Sequence, residues 1–310
     1  ALLLFIRFVL EFPIGEAFYH AVYLAVSAFN NAGFSFFPDN LIRYQSDVLV
    51  NMTVMSLIIL GGIGFVVLHE VMSKMRGKQK KLSLHSRIVL ITTAGLILTG
   101  AIFFYLLEMN NVLNGASVKT AILTSFFQSV TPRTAGFNTV DIGMLTNSTI
   151  LVIMALMFIG ASPGSTGGGV KTTSFALLFL LIINRMKGNE NVNVANRTIP
   201  RELIEKTISI VFASAMIIGV IIAVLLLAGE SNMAPLASRY QFIEYAFETF
   251  SAFGTVGLSM GVTPKLNDVQ KYAIILMMFI GRVGPLTLAF AWYSARKKGI
   301  TYAEESVMVG

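Results

Sequence analysis

Three short segments of this 310-residue chain carry a glycine in nearly the same setting: FNNAGF (29–34), VTPRTAGF (130–137) and FGTVGL (253–258). A glycine tolerates dihedral angles that aim successive backbone carbonyls to one side. Several such carbonyls form a set of hard oxygen ligands that replaces a cation's hydration shell without burying a formal charge. The ligands read from this pattern are Gly33, Gly136 and Gly257 as centres, with Asn31–Ala32, Thr134–Ala135 and Thr255–Val256 supplying the preceding carbonyls. The hydroxyls of Thr134 and Thr255 are candidate extra ligands. The competing use of the same glycines is close helix packing, as small residues serve in membranes.

A second glycine cluster follows each segment: LGGIGF (60–65), IGASPGSTGGG (159–169) and IGRVGP (280–285). Gly33, Gly136 and Gly257 lie 103 and 121 residues apart, and Gly61, Gly160 and Gly281 follow them by 28, 24 and 24. Such an internal offset is the mark of repeated units. The middle cluster is the most disruptive, because proline removes a donor and each glycine costs about 1 kcal/mol relative to alanine in a helix. Gly160, Ser162, Gly164, Ser165, Thr166, Gly167, Gly168 and Gly169 therefore predict a polar loop interrupting a membrane helix below its own glycine segment. Such a loop either plugs the path and moves aside, or is a rigid break lining a vestibule. Lys171 and Arg282 lie in otherwise apolar helices, where a cation is costly and usually has a partner. Arg282, at the level of Ala161, either donates to carbonyls of the loop or snorkels to the inner surface.

The elements around these residues read as an integral membrane protein. Hydrophobic residues make up 55% and charged residues 13% of the chain, against about 25% charged in soluble domains. Mean hydropathy is +0.73. Spans of about 20 apolar residues are predicted near 48–72, 87–107, 148–183 (interrupted at 160–169), 206–228 and 270–295, with a stub at 1–10. Amphipathic runs at 15–29, 116–129 and 240–252 are too short to cross and read as half-membrane helices ending at the glycine segments. Their partial negative C-terminal ends would then favour a cation. The fold class is all-α: tandem helix–pore-loop–helix repeats around a pseudo-fourfold pore, one repeat missing at the N-terminus. The divisions are 1–73 as the second repeat, 87–183 as the third with a broken second helix, 206–298 as the fourth, and 299–310 as a tail.

The net charge of +7 does not point to nucleic acid. Six Lys/Arg in 74–87, five in 184–206 and three at 296–298 lie between the repeats or after the last, so those segments are cytoplasmic by the positive-inside rule. Asp39, Asp47, Glu108, Asp141, Glu230 and Asp268 fall on the other side, where they either draw cations to a pore mouth or serve solubility. Cysteine is absent, which excludes disulfides and thiolate metal sites. GASPG (160–164) matches a hydrolase nucleophile elbow, but His20, His69 and His85 are all elsewhere. GSTGGGVKT (164–172) departs from a phosphate loop at Val170. No enzyme is read here. A secondary transporter would need inverted repeats and a coupling acid in the path, and a non-transporting membrane scaffold is the third class.

SAFNNAGF, TPRTAGF, FETFSAFGTVGL and FIGRVGPLT resemble the Ktr/Trk/HKT superfamily, most closely the membrane subunits of bacterial Ktr systems, over nearly the whole chain. The resemblance implies potassium translocation across a bacterial cell membrane, with K⁺ at Gly33, Gly136 and Gly257 and Na⁺ as a further cargo. The alternative is a sodium-coupled or less selective monovalent cation transporter. It also implies an intramembrane gate at 160–173 contacted by Arg282, and a homodimer with contacts near Val309 and Gly310. A cytoplasmic RCK-type nucleotide-binding ring is implied as regulator, with 74–86 and 184–205 as its contact surfaces.

Overall fold

The computed structural model describes residues 1–195, 197–229 and 235–284. In chain order its helices are α1 (Leu2–Phe8), α2 (Ile14–Phe29), α3 (Val48–Ile63), α4 (Phe65–Met75), α5 (Leu84–Glu108), α6 (Val118–Val130), α7 (Asn147–Phe158), α8 (Thr172–Met186), α9 (Arg201–Ala228), α10 (Pro235–Gly254) and α11 (Asp268–Val283). The protein is helical and apolar on its outside. Side chains such as Ile91, Leu151, Phe212 and Phe279 stand more than half exposed, as they must where the surroundings are lipid rather than water.

The elements fall into three sets of like order, each a first helix, a middle helix that leads into a glycine segment, and a second helix. In the first and last sets the middle helix packs against both others, α2 on α1 and α3 and α10 on α9 and α11, while α6 packs on α5. Neighbouring sets join where α3 meets α6 and α7 meets α10. Polar residues punctuate the helix starts. Asp47, Ser117 and Thr146 each accept a hydrogen bond from the backbone N–H three residues on, and Asn267 forms a reciprocal capping box with Gln270. These side chains satisfy donors that an apolar surrounding would leave orphaned. A single 3₁₀ turn, at Ile42–Tyr44, Ile142–Met144 and Thr263–Lys265, precedes each second helix.

Two of the span assignments need correction. The run 48–72 is not one straight helix: α3 and α4 meet at 106°. The corner is Gly64, with φ 96° and ψ 142°, a conformation that L side chains avoid. α11 ends at Gly284 in nearly the same conformation, φ 89° and ψ 138°. Gly64 and Gly284 lie three residues beyond Gly61 and Gly281 respectively, and α3 breaks in this way near the level at which the proline-bearing loop separates α7 from α8. The short helix expected at 240–252 is also longer, running from Pro235 to Gly254, because proline is accommodated in a first helical turn. Among the described residues, α5 and α9 are long and apolar enough to cross a membrane, as is the α3–α4 pair if counted as one bent span. α7 and α8 are shorter apolar helices on either side of the interruption.

The basic linker after α8 folds into a small antiparallel hairpin, Asn193–Val194 with Arg197–Thr198. Residues 285–310, which include the cluster at 296–298 and the tail, and Glu230 lie outside the described residues. The other acids of the opposite side have local partners. Asp39 pairs with Arg43 at 3.0 Å and Asp47 with Arg7. Asp141 accepts from Gly143 N, and Asp268 stands in the first turn of α11. Glu108 is fully buried and accepts from Thr146 N and Oγ1, both at 2.9 Å.

Gly61 and Gly281 of the second helices admit backbone carbonyls near the ends of α2 and α10. A Cβ on Gly61 would overlap the Phe29 carbonyl, and one on Gly281 the Phe253 carbonyl. Gly61→Ala and Gly281→Ala should each cost about 1–3 kcal/mol through overpacking. Gly219→Ala, in the open interior of α9 with nothing within 4 Å, should instead gain up to about 1 kcal/mol. Thermal unfolding of the purified protein in detergent checks both signs.

Candidate functional site: three glycine turns above a broken helix

The three glycine turns, far apart in sequence, are brought together. A Cβ built on Gly33 would lie 2.5 Å from Ala135 O and 3.2 Å from Gly136 Cα. One on Gly136 would overlap Val256 O and lie 3.4 Å from Gly257 Cα. Gly33 and Gly136 thus each face the carbonyl preceding the next glycine, in the order 33, 136, 257. A Cβ on Gly257 meets only Gly136 Cα, at 4.0 Å. The three glycines also line one cavity of about 300 Å³, whose rim includes Asn40, Asn138, Asp141 and Ser259. α2, α6 and α10 each end shortly before a turn, so their partly negative carbonyl ends lie close to it.

The backbone here is strained in a repeated way. φ is 75°, 78° and 95° at Gly33, Gly136 and Gly257. Two residues earlier it is also positive, 53° at Asn31, 73° at Thr134 and 52° at Thr255. For a β-branched threonine this is a true outlier, costing about 1–3 kcal/mol. Side chains hold the turns from behind. Ser27 Oγ donates to Phe34 O at 2.8 Å, Thr131 Oγ1 donates to Phe137 O at 2.5 Å, and Gly257 N donates to Ser251 Oγ at 3.1 Å. On the outer side, Asn40 Nδ2 donates to Gly33 O at 3.3 Å. Glu248, buried in α10, accepts from Ser259 Oγ at 2.8 Å and Thr263 Oγ1 at 2.5 Å.

The strained threonines turn their hydroxyls away from the cavity, whose wall includes neither of them. Thr134 Oγ1 donates to Asn31 Oδ1 at 3.0 Å when the amide is oriented so that its nitrogen meets Ala28 O at 3.1 Å and Ile58 O at 3.3 Å. Thr255 Oγ1 accepts from Gly168 N at 3.1 Å. The two hydroxyls expected as extra ligands are both engaged on the side of the interrupted helix.

That interruption runs between α7 and α8 directly beneath the turns. Its neck is closed by Gly160 N donating to Val170 O at 2.9 Å and Val170 N to Phe158 O at 3.1 Å. Ser162 Oγ and Thr172 Oγ1 share a hydrogen bond of 2.8 Å. The tip is tied to both neighbouring sets. Ser162 N donates to Gly62 O at 3.0 Å, Thr166 N to Gly61 O at 3.2 Å and Phe65 N to Gly164 O at 3.1 Å, while Gly169 N donates to Gly281 O at 3.2 Å. Arg282 Nη1 donates to Thr166 O, and Lys171 Nζ to Gly167 O at 2.8 Å. Gly167 lies against Thr134, where a Cβ would overlap Oγ1, and a Cβ on Gly168 would lie 2.5 Å from Thr255 Oγ1. Glycine here serves close approach more than looseness, and the loop is a bonded seat rather than a slack segment.

All of the residues singled out in the sequence from Asn31 to Arg282 fall in these two stacked layers. Sequence reading missed the corners at Gly64 and Gly284, the positive φ at Asn31, Thr134 and Thr255, and the clamps by Asn40 and Glu248. It also missed Arg133, which is buried in the segment of Gly136 with Nη2 3.4 Å from Thr93 Oγ1.

Residues 5–296 match the family model described as TrkH, cation transport protein. The chain belongs to the TrkH cation transport protein family. It is 39% identical over its whole length to the Ktr system potassium uptake protein B of Bacillus subtilis, spanning 68% of that protein. With the Ktr system potassium uptake protein B of Vibrio alginolyticus it shares 37% identity over 98% of its length, and 65% of that protein's. To the potassium/sodium uptake protein NtpJ of Enterococcus hirae it is 37% identical, spanning 68% of it. The crystal structure of the potassium transporter TrkH from Vibrio parahaemolyticus has the same fold, with TM-score 0.72 and 19% identity over 94% of this chain and 62% of that one. The TrkH-family chain thus spans about two thirds of the length of these relatives.

Gly136 and Gly257 differ in what surrounds them. Gly136→Ala should destabilise this TrkH-family chain by about 1–3 kcal/mol through overlap with Val256 O. Gly257→Ala carries the positive-φ cost alone, about 1 kcal/mol. The ranking is checked by thermal unfolding, and equal losses would contradict the packing described.

Proposed function

We propose that this protein is the pore-forming part of a potassium uptake system of the bacterial cell membrane. The observation that carries this reading is the convergence of three glycine turns from three like helix sets on one cavity. It is supported by membership of the cation transport family and by potassium uptake in the names of the Ktr relatives. The division of the chain into repeats at 1–73, 87–183 and 206–298 belongs to the same proposal. The filter is assigned to Asn31–Ala32–Gly33, Thr134–Ala135–Gly136 and Thr255–Val256–Gly257. Their carbonyls are the K⁺ ligands, with Na⁺ as a further cargo. Positive φ on alternate residues of each turn opposes the pleat that would point successive carbonyls to opposite sides. A fourth segment of the same kind closes the ring beside Gly257. With one glycine turn per repeat, the filter offers few binding sites in series, and its K⁺ over Na⁺ preference is modest.

The interrupted helix from Gly160 to Lys171 is assigned as the gate. Its backbone hydrogen bonds are worth about 1 kcal/mol net apiece, so opening requires an outside source of free energy. A cytoplasmic nucleotide-binding ring of the RCK type, contacting 74–86 and 184–205 of a homodimeric membrane subunit, is the proposed source. Arg282 and Lys171 hold loop carbonyls that otherwise face the cation path, and they add positive charge beneath the filter.

Rubidium flux into liposomes containing the full-length transporter tests both assignments. Gly257→Ser places a hydroxymethyl on the turn that lines the cavity, so it alters the cation path directly. The expected outcome is a lower K⁺ over Na⁺ preference, and an unchanged preference rejects the filter assignment. Deleting 164–169, or replacing Arg282 by Gln, should raise flux several-fold. Flux that falls or stays level in a folded variant rejects the gate.

A further inference from the structure

The groove between α8 and α9 contains two cavities stacked along the same helix faces. The upper one, about 600 Å³, has an entirely apolar wall. α8 contributes Phe175, Leu178 and Ile182, α9 contributes Val211, Ala215 and Ile218, and Phe158 and Ile159 close the inner end. The lower one, about 450 Å³, continues onto Leu181 of α8 and Ile208 of α9 and ends among Arg185, Glu190, Arg201 and Glu205. Ile208 and Val211 are three residues apart on one helix face, as are Leu178 and Leu181, so the apolar and polar cavities are successive reaches of one groove.

The dimensions and the charges select an occupant. α9 is long and apolar enough to span, and its start at Arg201 follows the basic linker assigned to the cytoplasmic side. From Ile218 to Arg201 is about 25 Å of helix at 1.5 Å per residue, close to the depth of one leaflet with its headgroups, half of about 40–45 Å. An apolar reach at mid-membrane depth leading to a charged reach at the inner surface matches an acyl chain followed by a headgroup. In the charged reach Arg201 pairs with Glu205 at 3.0 Å. Arg185 and Glu190 have no ion-pair partner among the described residues. A cation and an anion left together complement a zwitterion.

We propose that this groove is a seat for a phospholipid of the inner leaflet with an ethanolamine-type headgroup. Its phosphate meets Arg185, its ammonium meets Glu190, and one acyl chain lies along Ala215 against Phe158 and Ile159. Those two residues immediately precede the break at Gly160, so the lipid contacts the base of the interrupted helix. The binding claim is independent of the transport reading, and its test reads lipid rather than flux.

The test uses the full-length protein in nanodiscs of equal phosphatidylethanolamine and phosphatidylglycerol, extracted gently and weighed by native mass spectrometry. Wild type should retain phosphatidylethanolamine in excess over phosphatidylglycerol. Arg185→Ala, at an exposed position, should lower that retention about tenfold. Ala215→Trp should remove it by filling the apolar reach. Leu227→Trp, exposed at the far end of α9, should leave it unchanged, and thermal unfolding of the same samples shows which variants are folded. Phosphatidylglycerol retained equally or better, no lipid retained by wild type, or Arg185→Ala retaining as much as wild type would each overturn the proposal.

Discussion

The structure depends on the close approach of three backbone turns, at two of whose glycines, Gly33 and Gly136, no side chain beyond hydrogen fits. Ala135 O and Val256 O occupy the places where Cβ atoms of Gly33 and Gly136 would stand. That proximity requires glycine, and it also requires left-handed residues two positions earlier, including two threonines. Neither requirement is locally stable. The hydroxyls of Ser27, Thr131 and Ser251, the amide of Asn31 and the carboxylate of Glu248 hold the turns in place. Buried polar groups of this kind are costly unless bonded, and here their bonds define a single geometry.

The interrupted helix follows from the same crowding. To sit beneath the turns it must bring backbone against Thr134 and Thr255, and Gly167 and Gly168 make that contact possible. A helix broken inside a bilayer exposes carbonyls and N–H groups that lipid cannot satisfy. They are satisfied instead by Gly61, Gly62 and Gly281 of the neighbouring second helices, and by Lys171 and Arg282. The corners at Gly64 and Gly284 bring those neighbouring backbones within reach. The loop in the proposed gate is thereby mechanically tied to α4 and α11.

Much of this was legible in the sequence because it rests on residue types whose physics is local. Apolar length, basic linkers and glycine at a fixed offset each state their own requirement, so the all-helical membrane fold and the glycine segments can be read without coordinates. The bend at Gly64 was hidden, because 48–72 is predominantly apolar and one more glycine in LGGIGF carries no sign of its dihedral angles. The partners of the Thr134 and Thr255 hydroxyls were hidden too, since they are chosen by neighbours 87 or more residues away.

The amino-acid sequence by itself thus determined the class of the molecule, a helical membrane protein with recurring glycine turns, because hydrophobic length and missing side chains act through near neighbours. The tertiary structure alone decided that the turns share one cavity and that the broken helix is seated beneath them. It also decided which polar atoms face each layer. Those outcomes depend on carbonyls and hydroxyls from distant segments meeting at hydrogen-bond distance, and no short stretch of chain contains both members of such a pair.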